Sequence, residues 1–311
     1  MTVSIIVVSY NTCEETLACL ESVYAQTLQT GFELIVVDNA STDGSAAAIA
    51  ERFPEVRLIA SADNLGFAGA NNAAAKEATG EYLLLLNPDT VILDNAIDRV
   101  VAFARENPRA GLYGGRTFFG DMTLNANSCH GEPTPWSLLC MGLGLSALFR
   151  RSALLDPESL GSWDRNDVRE VDCITGCFLL IRRQIWEQLE GFDLEFFMYG
   201  EDTDLCIRAR KLGAKCLICP DATLIHYGGR SEKIRGDKMI RLFRAKNQLF
   251  RKHWSPWAAA FGSGMLSLWA FTRYCGASFL GLFKAKYRSS AGEWGSVFRR
   301  RREFASVPVA K

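Results

Sequence analysis

Two hydrophobic periods alternate along residues 1–110. Val3 to Tyr10 (VSIIVVSY), Phe32 to Asp38 (FELIVVD) and the four leucines inside Glu81 to Thr90 (EYLLLLNPDT) are short apolar runs that stop at turn residues. Such runs read as strands buried on both faces. Val56 to Ala60 reads as a further strand. Between them the period changes. Leu17, Leu20, Val23 and Tyr24 recur at helical spacing in Glu14 to Gln26, and Ser45 to Phe53 is a helix stopped by Pro54. Ser61 to Asn72 (SADNLGFAGANN) is a glycine-bearing loop that opens a helix to about Thr79, and Asn95 to Glu106 is a helix closed by Asn107-Pro108. This β-α-β-α-β-α-β succession predicts an α/β fold: a Rossmann-like, mostly parallel sheet with right-handed crossovers and helices on both faces.

Beyond residue 110 the pattern is less regular. Gly111 to Phe119 reads as a strand, Thr134 to Arg151 as an apolar, glycine-rich stretch, and Asp156 to Arg169 as loop. The 111–170 region is expected to be mobile and to cover one side of a ligand site. Glu170 to Arg183 (EVDCITGCFLLIRR) predicts a turn and a strong strand, followed by a short helix to Leu189. Glu201-Asp202-Thr203-Asp204 opens a helix over Leu205 to Leu212, with Gly213 as its C′ residue. Ala214 to Cys219 and Ala222 to His226 read as two short strands.

The last eighty residues change character. Ile240 to His253 is a basic amphipathic helix. Trp254 to Phe283 is apolar and broken by Arg273; its clean run, Pro256 to Thr272, has 17 residues, the lower limit for a membrane-spanning helix. Basic residues on both flanks favour a re-entrant or surface-lying hairpin over a crossing. Arg299 to Arg302 suits anionic lipid. Two domains are expected, 1–230 and a basic, apolar helical extension at 231–311 that associates with a membrane.

Charge sharpens that division. Residues 1–229 carry 17 Lys and Arg against 31 Asp and Glu (−14), and residues 230–311 carry 18 against 4 (+14). The alternative for the basic part is a solvated helix. Met1-Thr2-Val3 runs straight into a strand, which predicts no signal peptide. Ten cysteines, several within apolar runs, fit buried reduced thiols in a cytosolic protein. Cys216 and Cys219 form a CxxC without a second pair, which does not support a zinc site.

In an open α/β sheet ligands sit at the C-terminal ends of the strands. Asp38, Asp89 and the Glu201-Asp202 pair all belong near such ends. Carboxylates gathered there repel one another unless a cation lies between them, and a divalent metal bridging a diphosphate is the usual solution. Asp89, with Asn87 before it, offers hard oxygen ligands for Mg²⁺ or Mn²⁺. A turn with a helix N-cap accounts equally for Asn87-Pro88-Asp89-Thr90. His226, in ATLIHYGGRS, is either a structural histidine or a metal or phosphate ligand. The loop after the first strand lacks G-x-G-x-x-G, and no G-x-x-x-x-G-K-[ST] or G-x-S-x-G occurs. Nicotinamide enzymes, P-loop NTPases and serine hydrolases of that type are disfavoured.

Seven ordered blocks over residues 3–230 carry a resemblance: SIIVVSYN, ELIVVDNASTDGS, DNLGFAGANNAA, GEYLLLLNPDT, ITGCFLLIRR, FFMYGEDTDLCIRARKLG and IHYGG. Together they resemble the family 2 inverting glycosyltransferases, and most of all the bacterial rhamnosyltransferase-like enzymes. The resemblance implies a GT-A fold, a nucleotide-diphosphate sugar donor and Mg²⁺ or Mn²⁺. It implies that Ser9, Tyr10 and Asn11 line the base and ribose pocket, that Asp38 accepts from the base, and that Asn64, Gly66 and Asn72 border the nucleotide. Asp89 takes the last position of a D-x-D-like motif and Asn87 stands for its first aspartate. His226 matches a metal-ligating histidine. Asp202 matches the catalytic base, with Glu201 beside it contacting the acceptor. The expected reaction moves L-rhamnose from dTDP-rhamnose to a polyprenyl-linked or glycan acceptor in cell-envelope polysaccharide synthesis, on the cytoplasmic face of the plasma membrane. A non-catalytic nucleotide-sugar scaffold, a pyrophosphorylase, a glycoside hydrolase, or a transferase using UDP-galactofuranose are the alternatives. The pyrophosphorylase would need a glycine-rich, arginine-bearing loop that Ser9 to Glu15 lacks.

Overall fold

The computed structural model of the protein describes residues 1–150, 152–228 and 235–305. Its first half alternates except at one step, where β5 follows β4 directly: β1 (Val3–Ser9), α1 (Cys13–Gln26), β2 (Phe32–Asn39), α2 (Ser45–Arg52), β3 (Arg57–Ser61), α3 (Gly66–Glu77), β4 (Tyr82–Leu86), β5 (Thr90–Ile92), α4 (Ala96–Glu106) and β6 (Gly111–Phe118). Short elements follow: β7 (Leu124–Asn125), β8 (Cys129–His130), α5 (Pro135–Gly142), α6 (Leu145–Leu148), β9 (Arg169–Val171) and β10 (Cys173–Ile174). Then come β11 (Phe178–Arg182), α7 (Arg183–Gln188), α8 (Glu201–Lys211) and β12 (Lys215–His226). The chain continues as α9 (Arg235–His253), α10 (Pro256–Phe283), α11 (Lys286–Arg299) and α12 (Arg301–Ala305).

Two compact units emerge, the first made of Met1–His130, Trp163–Phe197 and Glu201–Ser231. Its main sheet runs β3-β2-β1-β4-β11-β6-β12-β5. The stretch β3-β2-β1-β4 is parallel, as the crossover helices require. β11 then runs antiparallel to both β4 and β6, and β12 lies parallel to β6. Every residue of β1 and β4 is buried, so each large side chain there contributes about 1.5–3 kcal/mol of apolar burial. This orientation pattern brings the C-terminal ends of β2, β1, β4 and β12 to one edge, together with the beginning of β11.

The second unit holds Gly131–Ser162, Met198–Gly200 and Glu232–Lys311. The 134–151 stretch, expected without elements of its own, contains α5 and α6. Thr134 caps α5 in a reciprocal box with Ser137. Gly142, at the end of α5, lies against Met265 and Leu268 of α10, and Thr272 donates to its carbonyl (3.2 Å). Glu158 accepts from Lys246 of α9 (2.6 Å) and from Ser137 (2.7 Å). Phe243 of α9 contacts Trp269 and Phe304, and Trp269 contacts Trp294 of α11.

Two expectations need correction. Residues 214–226 form one strand rather than two. Its pairing with β6 shifts register between Ile218 and Thr223, where Pro220 cannot donate to the ladder. The 256–283 stretch is not a hairpin but one continuous helix, α10, with the Arg273 guanidinium 5.8 Å from the Trp269 ring. The expected boundary at 230–231 and the end of the ATLIHYGGRS run lie outside the described residues. Among the described residues, no helix is long and apolar enough to cross a membrane.

Candidate active site

The β1–β2 edge is built from short polar side chains that clip loops together. Asn11, at positive φ (52°), accepts from the Thr42 amide (2.8 Å), and its own amide donates to Ser41 Oγ (3.0 Å). Ser9 is wholly buried and its hydroxyl meets Thr16 Oγ1 (2.9 Å), at the start of α1. Tyr10 is exposed. Asp38 is only 4% exposed. Its Oδ2 accepts from the Ser41 amide (3.2 Å), while Oδ1 is buried with no donor.

The α3 loop is tied to this edge through Asn39, a residue to which sequence reasoning assigned no role. Asn39 donates to Asn64 Oδ1 (3.0 Å) and accepts from the Leu65 amide (2.8 Å). Asn64 Oδ1 also accepts from the Gly66 amide (2.9 Å). Gly66 is at φ 71°, and a Cβ there would sit 2.4 Å from the Phe197 carbonyl, so only glycine fits. Asn72 spends both ends of its amide on the Phe192 backbone (2.8 and 2.9 Å).

The next strand end brings Asn87, Asp89 and His226 together. The Asn87 amide donates to the Cys177 carbonyl (3.1 Å), at the start of β11. Its Nδ2 lies 3.3 Å from His226 Nε2, and Asp89 Oδ1 lies at the same 3.3 Å from that nitrogen. The pairing of β12 with β5, His226 against Thr90, fixes the ring there, and the Tyr227 amide donates to the Asp89 carbonyl (3.1 Å). Burial works against a charged imidazole. The Cys177 sulfur and the Asp89 carboxylate beside the ring outweigh it and push His226 up to about 10. Cys177, read in the sequence as a core thiol, is thus a neighbour of this cluster.

One residue earlier in the chain, Gly176 donates its amide to Asp202 Oδ2 (3.1 Å). Asp202 Oδ1 accepts from the Thr203 amide (2.7 Å). Both carboxylate oxygens are therefore held at the N-terminus of α8. The helix itself is pinned by Asp204, wholly buried, which takes Arg208 Nε at 2.6 Å. Arg208 also donates to the Leu189 and Gly191 carbonyls (2.8 Å each). Glu201, 5% exposed, has a buried Oε2 with no donor. Burial, reinforced by the adjacent Asp202 charge, holds its carboxyl well above the usual carboxylate range.

Register relates these pieces. Ser9 stands opposite Asp38, and Val7 stands opposite both Val36 and Leu86. Asp38 and the turn after β4 are thus at nearly the same level of the sheet, two strand spacings or roughly 10 Å apart. Gly176 and Cys177 link the Asn87–Asp89–His226 cluster to Asp202.

The model of the family described as glycosyl transferase family 2 matches residues 4–189. The chain belongs to this family. A curated relative, the N-acetylglucosaminyl-diphospho-decaprenol L-rhamnosyltransferase of Mycobacterium tuberculosis, is 30% identical over 222 residues, covering 64% of this chain and 67% of the relative. The O-antigen biosynthesis protein RfbC of Myxococcus xanthus is 28% identical over 69% of this chain but only 16% of its own length. Among solved structures, the mannosyltransferase PcManGT of Pyrobaculum calidifontis in complex with GDP-Man and Mn²⁺ superposes with TM-score 0.57 at 19% identity, covering 95% of this chain and 84% of that one. The fold is accordingly the GT-A glycosyltransferase fold, and the protein is a glycosyltransferase resembling the rhamnosyltransferases.

The donor set permits one further conclusion. Among the described residues, no three His, Cys, Asp or Glu side chains converge as a closed metal cage. Asp89 supplies a carboxylate, and His226 supplies an imidazole nitrogen once its ring proton is released. Magnesium-type sites take one or two protein ligands and complete their shell with substrate phosphates and water. The pair fits such an open site and does not fit a structural one.

Proposed function

We propose that the protein is a metal-dependent, inverting transferase that moves L-rhamnose from dTDP-rhamnose to a hydroxyl of a lipid-linked glycan at the cytoplasmic face of the plasma membrane. The carrying observation is that residues 176–177 bring Asp202 and the Asn87–Asp89–His226 cluster to adjacent positions. In this reading the base and ribose lie over Ser9, Tyr10, Asn11 and Asp38, whose unpaired Oδ1 awaits a ring N–H. Asn64 and Gly66 shape the neighbouring backbone, and Asn72 supports it through Phe192. The diphosphate lies toward Asp89 and His226. Mg²⁺ or Mn²⁺ bound there would neutralise charge on the departing diphosphate.

Asp202 accepts the proton of the acceptor hydroxyl as its oxygen attacks the anomeric carbon. The bond from that carbon to the phosphate oxygen breaks, and the electron pair leaves with the nucleoside diphosphate. One displacement inverts the centre, so no protein nucleophile is required. Glu201, whose carboxyl is held well above the usual range by burial and by Asp202, can in its protonated form donate a hydrogen bond to the acceptor. The rhamnosyl donor and lipid-linked acceptor follow the Mycobacterium tuberculosis relative.

A donor screen with purified protein tests the assignment. Acceptor-dependent release of dTDP from dTDP-rhamnose is expected, lost with EDTA and restored by Mn²⁺ or Mg²⁺. Turnover of UDP-galactofuranose alone would replace the donor, and full activity in EDTA would remove the metal from the reading.

A further inference from the structure

The C-terminal half of the α10 helix carries an apolar stripe exposed to solvent. Trp257, Phe261, Phe271, Cys275, Phe279 and Leu282 are all exposed, Trp257 at 88%, Phe279 at 62% and Leu282 at 73%. At 100° per residue these six positions fall within an arc of about 80°. Between Phe261 and Phe271 the face is met by α5, with Gly142 against Met265 and Leu268, so the continuous exposed stretch is Phe271 to Leu282, about 18 Å. The opposite side is occupied: Gly262 packs on Phe250 and Trp254, and Trp269 on Phe243 and Trp294. The helix contains one charged residue, Arg273, which is about 160° from Trp257 and over Trp269. Bases stand at both ends, Arg251 and Lys252 before the helix and Lys284, Lys286 and Arg288 after it.

We propose that the C-terminal half of α10 docks on an anionic lipid bilayer, with its exposed stripe in the acyl boundary and the bases that follow the helix on the headgroups. This deepens the proposed function by naming the surface that meets the acceptor's membrane, and rests on that reading for its purpose. An exposed apolar face of this length costs solubility unless it is covered. Helices that lie in the interface have one apolar face, basic residues at the margin and too little apolar length to cross. Charge selects the occupant. Residues 230–311 carry 18 Lys and Arg against 4 Asp and Glu, so a second copy would set like charges against each other. A surface of phosphatidylglycerol-type headgroups attracts them, at about 1 kcal/mol per base near the membrane.

The full-length protein is sedimented with phosphatidylcholine vesicles, with and without phosphatidylglycerol. Binding is expected only with the anionic lipid and should fall with salt. The pair Phe279→Glu and Leu282→Glu, both exposed, should weaken binding roughly tenfold or more, and Lys284→Glu with Lys286→Glu should remove the preference for anionic lipid. In a Cys13→Ser background, a polarity-sensitive dye on Cys275 should shift to the blue when vesicles are added. Absence of vesicle binding, or stripe variants that sediment like the parent, overturns the proposal. So does a dimer that the stripe variants split. Transfer to a water-soluble acceptor should be unaffected by these variants. Failure of the parent protein to bind vesicles, with its transfer intact, would therefore reject the docking surface alone, and vesicle binding by the parent without donor turnover would reject the proposed reaction alone.

Discussion

Asp98 and Asp38 are both buried aspartates of the first unit, at opposite ends of its sheet, and their surroundings differ sharply. Asp98, in the first turn of α4, accepts from the Leu28, Gln29 and Thr30 amides (2.8, 3.2 and 2.7 Å) in the loop that leads into β2. Asp204 has the charge of Arg208 at 2.6 Å. At the ligand edge, Asp38 and Glu201 each keep one buried oxygen without a donor. A buried, unpaired polar atom costs about 1–3 kcal/mol. The protein spares its architectural acids that cost and accepts it where a ligand can supply the missing donor.

The largest expected effect breaks the site while leaving the fold. Asp202→Asn should lower kcat by about 10²–10⁴-fold, with the thermal shift produced by nucleoside diphosphate unchanged. Wild-type turnover would remove Asp202 as the base. Asp38→Ala should weaken nucleotide binding about tenfold to a hundredfold, the worth of one hydrogen bond to a charged group. Titration calorimetry reads it, and the melting temperature should move little. Asp98→Ala should do the reverse. It leaves the Leu28 and Thr30 amides unpaired, lowers stability by about 1–3 kcal/mol in denaturant unfolding, and leaves nucleotide affinity alone.

The smallest effect is in pH dependence, where the two acids have opposite signs. Burial works against charge on Asp98, but the hydrogen bonds from Thr30, Leu28 and Gln29 outweigh it and hold its carboxyl below the usual value. Its stabilisation is complete above that usual value and is lost as pH falls through the lower folded one. Glu201, held well above its usual value by burial and by Asp202, stabilises fully below about pH 4.5 and loses that contribution as pH rises toward the folded value. Melting curves against pH should lose part of their acid slope in Asp98→Asn. They should lose part of the decline above pH 4.5 in Glu201→Gln.

The parallel half of the fold was legible because each strand is a dense local run and each helix a local period. Residues 1–118 follow the expected alternation with ends displaced by a residue or two, except for the short strand β5, which the sequence reading did not anticipate and which pairs with β12. What was not legible depends on partners distant in sequence. The role of Asn39 exists only once the loop before α3 folds back onto β2, 25 residues later in the chain. Cys177 reads as core until the antiparallel course of β11 sets it beside His226. The 134–151 stretch looked irregular because its helices are short and lean on α9 and α10. Residues 214–219 and 222–226 read as two strands, but one strand runs through both with a shift of register between Ile218 and Thr223. Asp38, Asp89, Asp202 and His226 could be singled out from motif order; their hydrogen-bond partners could not.

Since β11 runs against β4, it meets the ligand edge with its first residues, where Gly176 and Cys177 face two different jobs. Side chains of a strand alternate sides with every residue. Deleting or inserting a single amino acid between positions 174 and 178 would exchange the two neighbours, put a side chain 3.0 Å from the Phe67 ring, and separate the proposed proton acceptor from the proposed diphosphate site. Length in that tripeptide is therefore less negotiable than its chemistry.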